Sequence, residues 1–307
     1  MSAVATLDGV SMRFRGHTAL TDVSTSIPAD TITGLLGRNG AGKTTLMQLL
    51  TGHRVPTTGQ VRVLGGDPFE NDAVLSRMCF LKEGQRYPEY FRVCDALAAA
   101  ATLYPAWDGD LADQLVADFE LPRKRQIKKL SRGMNSAVGI VLGLASRAPV
   151  TLFDEPYLGL DAVARHLFYD RLLADYAEHP RTIVLSTHLI EEISDLLEHV
   201  LLIDHGRVLL DTDAESLRAS GLTVSGPAPL VAGFAAGQHL LHTESMAGRS
   251  RAVVRATTAT ARQDATDLGL TVEPTSVQQL VVAMSLATTH GPSSPDAARL
   301  ALQGVPR

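Results

Sequence analysis

The sequence predicts an α/β fold with a mixed core sheet, an antiparallel β edge and a helical subdomain, followed by a small α+β C-terminal domain. Three observations support the first domain. An apolar run at residues 31–36 precedes a glycine-rich turn, after which leucines and a methionine continue at helical spacing. Buried-strand patterns recur at residues 150–153 and 183–186, and polar side chains follow each of them. Residues 87–145 show mostly helical spacing and predict a helical insertion.

The remaining elements follow from alternation and turn signals. Residues 4–27 alternate well enough for two or three strands with a turn at Gly16, and another strand follows the turn at 56–59. A hairpin at 200–211 closes the first domain near residue 218. The predicted division is residues 1–218 with a helical subdomain at about 85–147, an α+β domain at 219–288, and a loosely ordered tail at 289–307. The α+β domain is expected to run β-α-β-β-α-β and to end in a helix.

Composition sets broad limits on function. The 307 residues are enough for two domains, since single cores stop growing at roughly 250 to 300 residues. The net charge of −5 gives no electrostatic reason to expect nucleic acid as a partner. No apolar run approaches the roughly 20 residues of a membrane span, and the N-terminus lacks the pattern of a secretory signal. A cytoplasmic location is therefore expected.

Residues 37–45 read GRNGAGKTT and fit the phosphate-binding pattern G-x-x-x-x-G-K-[ST], the P-loop. Gly37, Gly40 and Gly42 allow the N–H groups at the helix start to face phosphate oxygens. Lys43 is expected to place a positive charge at the β- and γ-phosphates, and Thr44 to offer a hydroxyl to Mg²⁺. The strand-to-helix context predicts a bound nucleoside triphosphate.

Two adjacent carboxylates, Asp154 and Glu155, follow the apolar run at 150–153. Burying charges at the end of an apolar strand is costly unless they have a function. In a P-loop protein, Asp154 is expected to hold Mg²⁺ and Glu155 to polarise the attacking water. His188 follows the next strand, and ligands bind at the carboxyl ends of parallel strands, so it is a candidate contact of the γ-phosphate.

Two other residues each allow two interpretations. Ser131 is well placed to cap a helix, and a capped helix start is also an anion site. Phe14 either stacks on a nucleotide base or fills the core of the sheet. The sequence leaves these alternatives open.

Taken in order, five motifs resemble those of the nucleotide-binding subunit of an ATP-binding cassette (ABC) transporter. They are GRNGAGKT (Walker A), LSRGM at the place of the LSGGQ signature, TLFDEP (Walker B), YLGLD (the D-loop) and the switch histidine His188. The resemblance covers residues 4–215 and implies a P-loop NTPase with ATP and Mg²⁺ as cofactors. It implies catalysis by Glu155 and His188 and Mg²⁺ ligation by Thr44 and Asp154. It assigns ATP binding to Phe14, Gly37, Arg38, Asn39, Gly40, Ala41, Gly42, Lys43, Thr44, Thr45, Ser131 and Gly133.

The same resemblance implies partners. In this family the signature of one cassette closes over the Walker A site of another, so a homodimer or a heterodimer with a second cassette is expected. ATP hydrolysis then drives a separate membrane permease, which places the subunit on the cytoplasmic face of the cell membrane. The segment VEPTS at 272–276 is similar to the tails of exporter-type cassettes and favours export. The alternatives are a soluble ABC ATPase acting on ribosome or DNA, and an ATP-gated regulatory subunit with little turnover.

The sequence departs from the family pattern at two places. The Q-loop glutamine falls on Glu83, whereas Gln85 lies two residues later, so either is a candidate switch residue near the metal. A carboxylate there attracts the metal and repels the triphosphate, which predicts retained activity with altered coupling. Arg132 also replaces a signature glycine and Met134 the final glutamine, while Ser131 and Gly133 remain.

Overall fold

The computed structural model describes residues 2–258 and 260–290. It divides into two compact units, Met1–Thr212 and Asp213–Arg307, so the boundary falls six residues before the predicted one at 218. The first two residues of the predicted tail at 289–307 form the end of the last helix. The rest of that tail lies outside the described residues. None of the helices in the described ranges combines the length and the apolar composition of a membrane span.

The first unit is built around two sheets. Its strands are β1 (Ala3–Phe14), β2 (His17–Pro28), β3 (Ile32–Leu36), β4 (Thr58–Val63), β5 (Met78–Leu81), β6 (Val150–Asp154), β7 (Thr182–Thr187), β8 (His199–Asp204) and β9 (Arg207–Asp213). Its helices are α1 (Lys43–Leu50), α2 (Asp72–Leu75), α3 (Val93–Leu103), α4 (Gly109–Asp118), α5 (Arg132–Ala145), α6 (Ala162–Glu178) and α7 (Ile190–Ile193). One sheet has the order β2-β1-β4 and is antiparallel, and the other has the order β5-β6-β7-β3-β8-β9.

The larger sheet positions the functional residues. β6, β7 and β3 pair in parallel, and every residue of these three strands is buried. Burial on both faces explains why the strands read as continuous apolar runs. Because the strands are parallel, their carboxyl ends meet at one edge of the sheet. At that edge β3 enters the glycine-rich loop, β6 ends at Asp154 and β7 continues to His188.

The helix after the glycine-rich loop packs between the two sheets. Leu46 and Met47 of α1 share a core with Val10 and Leu20 of the antiparallel sheet and with Leu152 of β6. Each fully buried apolar side chain stabilises the fold by about 1.5–3 kcal/mol. The start of α1 is therefore fixed relative to the ends of the central strands.

Helices α3, α4 and α5 lie between β5 and β6 in the chain, where the sequence predicts a helical insertion. Ser131 caps α5, because its hydroxyl accepts the N–H of Met134 at 3.2 Å. The buried side of α5 carries Val138, Val141 and Leu144, which recur at helical spacing. The segment LSRGM thus forms the capped start of an amphipathic helix.

The second unit has its own core. Its elements are α8 (Ala214–Ser220), β10 (Gly221–Pro227), α9 (Ala228–Ala235), β11 (His239–Met246), β12 (Arg249–Arg255), α10 (Ala261–Asp267), β13 (Thr271–Pro274) and α11 (Val277–His290). The strands form an antiparallel sheet of order β11-β12-β10-β13. Val224, Phe234 and Val254 pack in its core. From β10 to β13 the elements run β-α-β-β-α-β, the order read from the sequence.

Candidate functional site

The glycine-rich loop after β3 is shaped by its backbone. Gly37 has a φ of +147°, and a Cβ at this position would lie 2.2 Å from the carbonyl oxygen of Ile203 in β8. Only glycine lets the loop pass so close to that strand. Lys43 opens α1 with 6% of its side chain exposed, and its Nζ lies 2.7 Å from the carbonyl oxygen of Gly37. A buried cation at the positive end of a helix makes this loop suited to an anion.

Asp154 ends β6 with both carboxylate oxygens bound by hydroxyls. The hydroxyl of Thr44 donates to Oδ2 at 2.7 Å, and that of Ser186 donates to Oδ1 at 2.7 Å. Asp154 is 1% exposed, so these partners stabilise a buried charge. A carboxylate beside a threonine hydroxyl offers the oxygen ligands that Mg²⁺ takes in combination with substrate phosphates, so the residues fit that ion.

Glu155 lies at the centre of a buried group of polar side chains. Its Oε1 is 3.3 Å from Nζ of Lys43, and its Oε2 is 2.9 Å from Nδ1 of His188. The phenol of Tyr157 also donates to Oε2. The structure thus joins the P-loop lysine, the candidate base and the candidate histidine in one chain of contacts.

The backbone conformation and the pKa of Glu155 are both unusual. Its φ is +50°, the left-handed region, which costs a non-glycine residue of order 1–3 kcal/mol and persists at sites with a special role. Burial raises the pKa of Glu155 above its ordinary value of 4.5, and the charges of Lys43 and His188 lower it only in part. A raised carboxylate pKa lies closer to the working pH of a general base.

These side chains face a cleft of about 470 Å³, within the size range of small-molecule sites. Most of the residues named from the sequence line it. They are Phe14, Arg38, Asn39, Gly40, Ala41, Gly42, Lys43, Thr44, Thr45, Glu83, Glu155 and His188. Asp154 borders the cleft through its bond to Thr44.

Phe14 combines the two interpretations that the sequence left open. The ring is half-buried at the end of β1, where it packs against the core and also lines the cleft. The guanidinium carbon of Arg54 lies 4.8 Å from the ring centroid, so one face of the ring carries a cation. Base stacking by Phe14 stays a prediction.

The signature segment reaches the cleft through Arg132 and not through Ser131 or Gly133, which are absent from the described residues that line it. Ser131 lines a neighbouring cavity with Tyr87. Gly133 packs against the D-loop, since a Cβ there would lie 2.4 Å from the carbonyl oxygen of Gly159. Within one chain, the structure therefore does not bring Ser131 and Gly133 to the P-loop.

The two Q-loop candidates occupy different places. Glu83 lines the cleft and forms an ion pair with Arg132. Gln85 does not line the cleft but lines a neighbouring cavity that it shares with Glu83, Asp154 and Glu155, and its backbone carbonyl oxygen accepts a hydrogen bond from Asn135 at 3.4 Å. Of the two, Glu83 lines the nucleotide cleft itself, and the identity of the switch residue stays a prediction.

Two residues of the site were not found from the sequence. Ser186 contacts Asp154 because the two are paired in the register of β6 and β7, a contact between distant parts of the chain. Tyr157 contacts Glu155 and His188 from the loop after β6. The sequence does hold one signal for Tyr157. It follows Asp-Glu-Pro directly, at a point where the chain must turn away from a buried strand.

A cation in a glycine-rich cradle, a carboxylate paired with a hydroxyl, and a buried glutamate beside a histidine define a P-loop nucleoside triphosphatase. Comparison with known proteins agrees. Residues 20–158 match the family described as "ABC transporter". The chain is 26% identical over 209 residues to the ABC transporter ATP-binding protein YtrB of Bacillus subtilis, covering 68% of this chain and 72% of that protein.

Two further comparisons extend the match. The chain is 28% identical over 218 residues to the Nod factor export ATP-binding protein I of Cupriavidus metallidurans, covering 69% of this chain and 71% of that protein. A bacterial ABC transporter cassette solved as a dimer superposes with a TM-score of 0.60 and 21% identity, covering 68% of this chain and 98% of that one.

The first unit is therefore an ATP-binding cassette of the ABC transporter family, and the protein is an ATPase that powers a membrane transporter. The fold class, the family and the enzyme class predicted from the sequence are confirmed.

Proposed function

We propose that this protein is the ATP-hydrolysing subunit of an exporter and acts with a separate permease at the cytoplasmic face of the cell membrane. The observation that carries the proposal is the convergence of Lys43, Thr44, Asp154, Glu155 and His188 at one edge of the central sheet. Export is supported by the relative that is named as a Nod factor export protein.

ATP binding uses the P-loop. Lys43 leaves the carbonyl oxygens of the loop for the β- and γ-phosphates, while the N–H groups at the start of α1 bind phosphate oxygens. The hydroxyl of Thr44 and the carboxylate of Asp154 would hold Mg²⁺. When bound, that ion supplies positive charge to the phosphate oxygens. Ser186 keeps Asp154 oriented through its bond to Oδ1.

Hydrolysis uses the group around Glu155. The carboxylate accepts a proton from the attacking water, which is oriented toward the γ-phosphate. His188, at the end of β7, contacts the γ-phosphate and senses its presence. The carboxyl end of the sheet thereby combines phosphate binding and water activation.

The functional form is a dimer, with a second copy or with another cassette. Ser131 and Gly133 contact the γ-phosphate bound by the opposite subunit, which accounts for their position outside the cleft of their own chain. The capped start of α5 supplies N–H donors and a positive dipole end for that contact. A related fold solved as a dimer supports this assembly.

The proposal is tested with Glu155→Gln. The substitution keeps the size of the side chain and removes the base, so turnover falls about 10²- to 10⁴-fold while ATP affinity stays within about threefold. An ATP-bound dimer should then accumulate, visible by light scattering after gel filtration. Glu178→Gln, an exposed change on α6, is the matched control and keeps the wild-type rate. Wild-type turnover in Glu155→Gln would remove Glu155 from the role of base.

The permease is tested separately by purification from gently solubilised membranes. The exporter proposal expects a multispanning protein to co-purify with the ATPase and to stimulate its turnover. Fractionation of the native protein with ribosomes or chromatin would instead favour the alternative class of soluble ABC ATPase.

A further inference from the structure

Tyr157 is a buried tyrosine two residues after Glu155, and the proposed function gives it no role. Its side chain is 3% exposed. The phenol oxygen contacts three atoms of the hydrolytic group. It donates to Oε2 of Glu155, lies 2.9 Å from Nδ1 of His188, and accepts the backbone N–H of His188 at 3.0 Å.

The protons of these contacts can be assigned. A backbone N–H only donates, so the phenol oxygen accepts the bond from the main chain of His188. The single phenol proton is then directed at Glu155, whose ionised carboxylate only accepts. Nδ1 of His188 lies 2.9 Å from Oε2 and 2.9 Å from the phenol oxygen, so a proton assigned to Nδ1 is shared between these two acceptors. Every contact is satisfied when Glu155 carries its charge.

Tyr157 also links the ends of two neighbouring strands. Glu155 follows β6, and its N–H donates to the carbonyl oxygen of Ser186 at 3.2 Å. His188 follows β7, and its ring meets the ring of Tyr157 edge to face, with centroids 5.6 Å apart. The phenol thus contacts the side chain of Glu155 at the end of β6 and both the side chain and the main chain of His188 after β7.

In the proposed function, ATP binding changes the partners of the Glu155 carboxylate oxygens. In this structure Lys43 pairs with Oε1 and Tyr157 with Oε2. In the proposed function Lys43 transfers to the phosphates, which frees Oε1 for the attacking water. Oε2 then depends on Tyr157 and His188 for its orientation.

We propose that Tyr157 is a positioning residue for ATP hydrolysis, which holds Oε2 of Glu155 and the main chain of His188 so that Oε1 stays directed at the water. The proposal rests on the proposed function and adds the group that orients its base. Tyr157 is not among the described residues that line the nucleotide cleft, so we expect its loss to affect the rate of hydrolysis and not the binding of ATP.

The test compares Tyr157→Phe with Tyr176→Phe. Phenylalanine keeps the ring that packs on His188 and removes only the phenol oxygen. Tyr176 is the matched control, because its hydroxyl proton also lies between oxygen acceptors outside the cleft, the carbonyl oxygen of Asp30 at 2.8 Å and Oε2 of Glu198 at 2.6 Å. Thermal unfolding establishes that both variants are folded at the assay temperature.

For Tyr157→Phe we expect kcat to fall about 10- to 100-fold, the effect of one lost hydrogen bond to a charged group, with KM for ATP unchanged within about twofold. Tyr176→Phe keeps both constants. A kcat for Tyr157→Phe equal to that of the control, or a fall in kcat matched by an equal loss of ATP affinity, would overturn the proposal.

A double variant shows whether Tyr157 acts through Glu155. In a Glu155→Gln background, removal of the phenol should lower the residual single-turnover rate by less than about twofold, because residues that act as a unit are not additive. A further 10-fold fall would contradict the proposal. Wild-type turnover in Glu155→Gln alone would count against the proposed base, whereas an inactive Glu155→Gln with a fully active Tyr157→Phe would count against Tyr157 only.

Discussion

Arg132 Nη2 lies 3.3 Å from Glu83 Oε1, so two of the three residues that depart from the family pattern form an ion pair with each other. Glu83 comes from the loop after β5, and Arg132 is the first residue of α5. Both side chains also line the nucleotide cleft. The arginine therefore offsets the extra negative charge that Glu83 brings toward a triphosphate.

Removing the negative charge of Glu83 should have a small effect on ATPase kinetics. The two side chains are 50% and 68% exposed, and such pairs contribute about 0–1 kcal/mol. We expect Glu83→Gln to change KM for ATP by less than about fivefold and to retain turnover, with the difference shrinking at high salt. Steady-state ATPase assays from low to high salt measure both.

The matched control is Glu89→Gln, which breaks another exposed pair, 3.3 Å from Nζ of Lys128. It should leave ATPase kinetics unchanged. A loss of turnover of about 100-fold in Glu83→Gln would contradict the charge-offset interpretation and would make Glu83 essential to hydrolysis.

Loss of the P-loop lysine should abolish ATP binding. Lys43→Ala removes the buried cation at the phosphate site and also leaves Oε1 of Glu155 without its ion pair. We expect ATP affinity to fall about 100-fold or more, since charge-assisted bonds to phosphate are lost. Equilibrium binding of ATP measures the change. Lys124→Ala removes the same charge from an exposed position and should bind as wild type does; unchanged affinity in Lys43→Ala would remove the P-loop assignment.

The parts of the site that could be read from the sequence are those with local signals. The P-loop has a fixed glycine spacing, and Asp154 and His188 each follow an apolar run that predicts a buried strand. The contacts of Ser186 and Tyr157 depend on the register of β6 against β7, which brings together residues about thirty positions apart. No local pattern encodes such a register.

The placement of Glu83 and Gln85 relative to the cleft needed the structure for a related reason. Both lie in a loop, where no period indicates which side chain faces the cleft. For Gly133, the sequence indicated one reason for a glycine and missed another. The family resemblance assigns Gly133 to a phosphate contact. The structure shows that a glycine is also needed within one chain, because the backbone at Gly159 approaches this position closely.

That approach predicts opposite outcomes for two glycines of one helix. Gly133→Ala places a Cβ 2.4 Å from the carbonyl oxygen of Gly159, whereas in Gly139→Ala the new Cβ meets only Cδ1 of Leu81, at 3.6 Å. We expect Gly133→Ala to lower the free energy of unfolding by about 1–3 kcal/mol through overpacking. Gly139→Ala should raise it by up to about 1 kcal/mol, because alanine favours the helix.

Urea unfolding followed by the fluorescence of Trp107, the single tryptophan of the chain, measures both changes. Equal stability of the two variants would show that the D-loop moves aside at no cost. The ATPase rate of Gly133→Ala is a second readout, since a displaced D-loop alters the segment that follows Glu155.

The last prediction concerns a polar contact between β8 and β9. Oδ1 of Asp211 lies 2.9 Å from Nε2 of His199, and its Oδ2 accepts the hydroxyl of Thr25 at 2.6 Å. Burial by itself raises the pKa of Asp211, but the hydrogen bonds from His199 and Thr25 outweigh it and hold the pKa below its ordinary value of 3.8. The folded protein therefore binds fewer protons than the unfolded chain near that pH.

It follows that the contribution of Asp211 to stability is complete above about pH 5 and is lost as the pH falls through its folded-state pKa. We expect Asp211→Asn to lower the free energy of unfolding by about 1–2 kcal/mol at pH 7, with the gap from wild type narrowing below about pH 4. Urea titrations from pH 7 to pH 3 measure the gap. Asp170→Asn, which breaks an exposed pair with His166, is the control and should show a small gap at every pH. If the gap for Asp211→Asn instead widened in acid, the sign of the Asp211 linkage would be reversed and its hydrogen bonds would not favour the charged form.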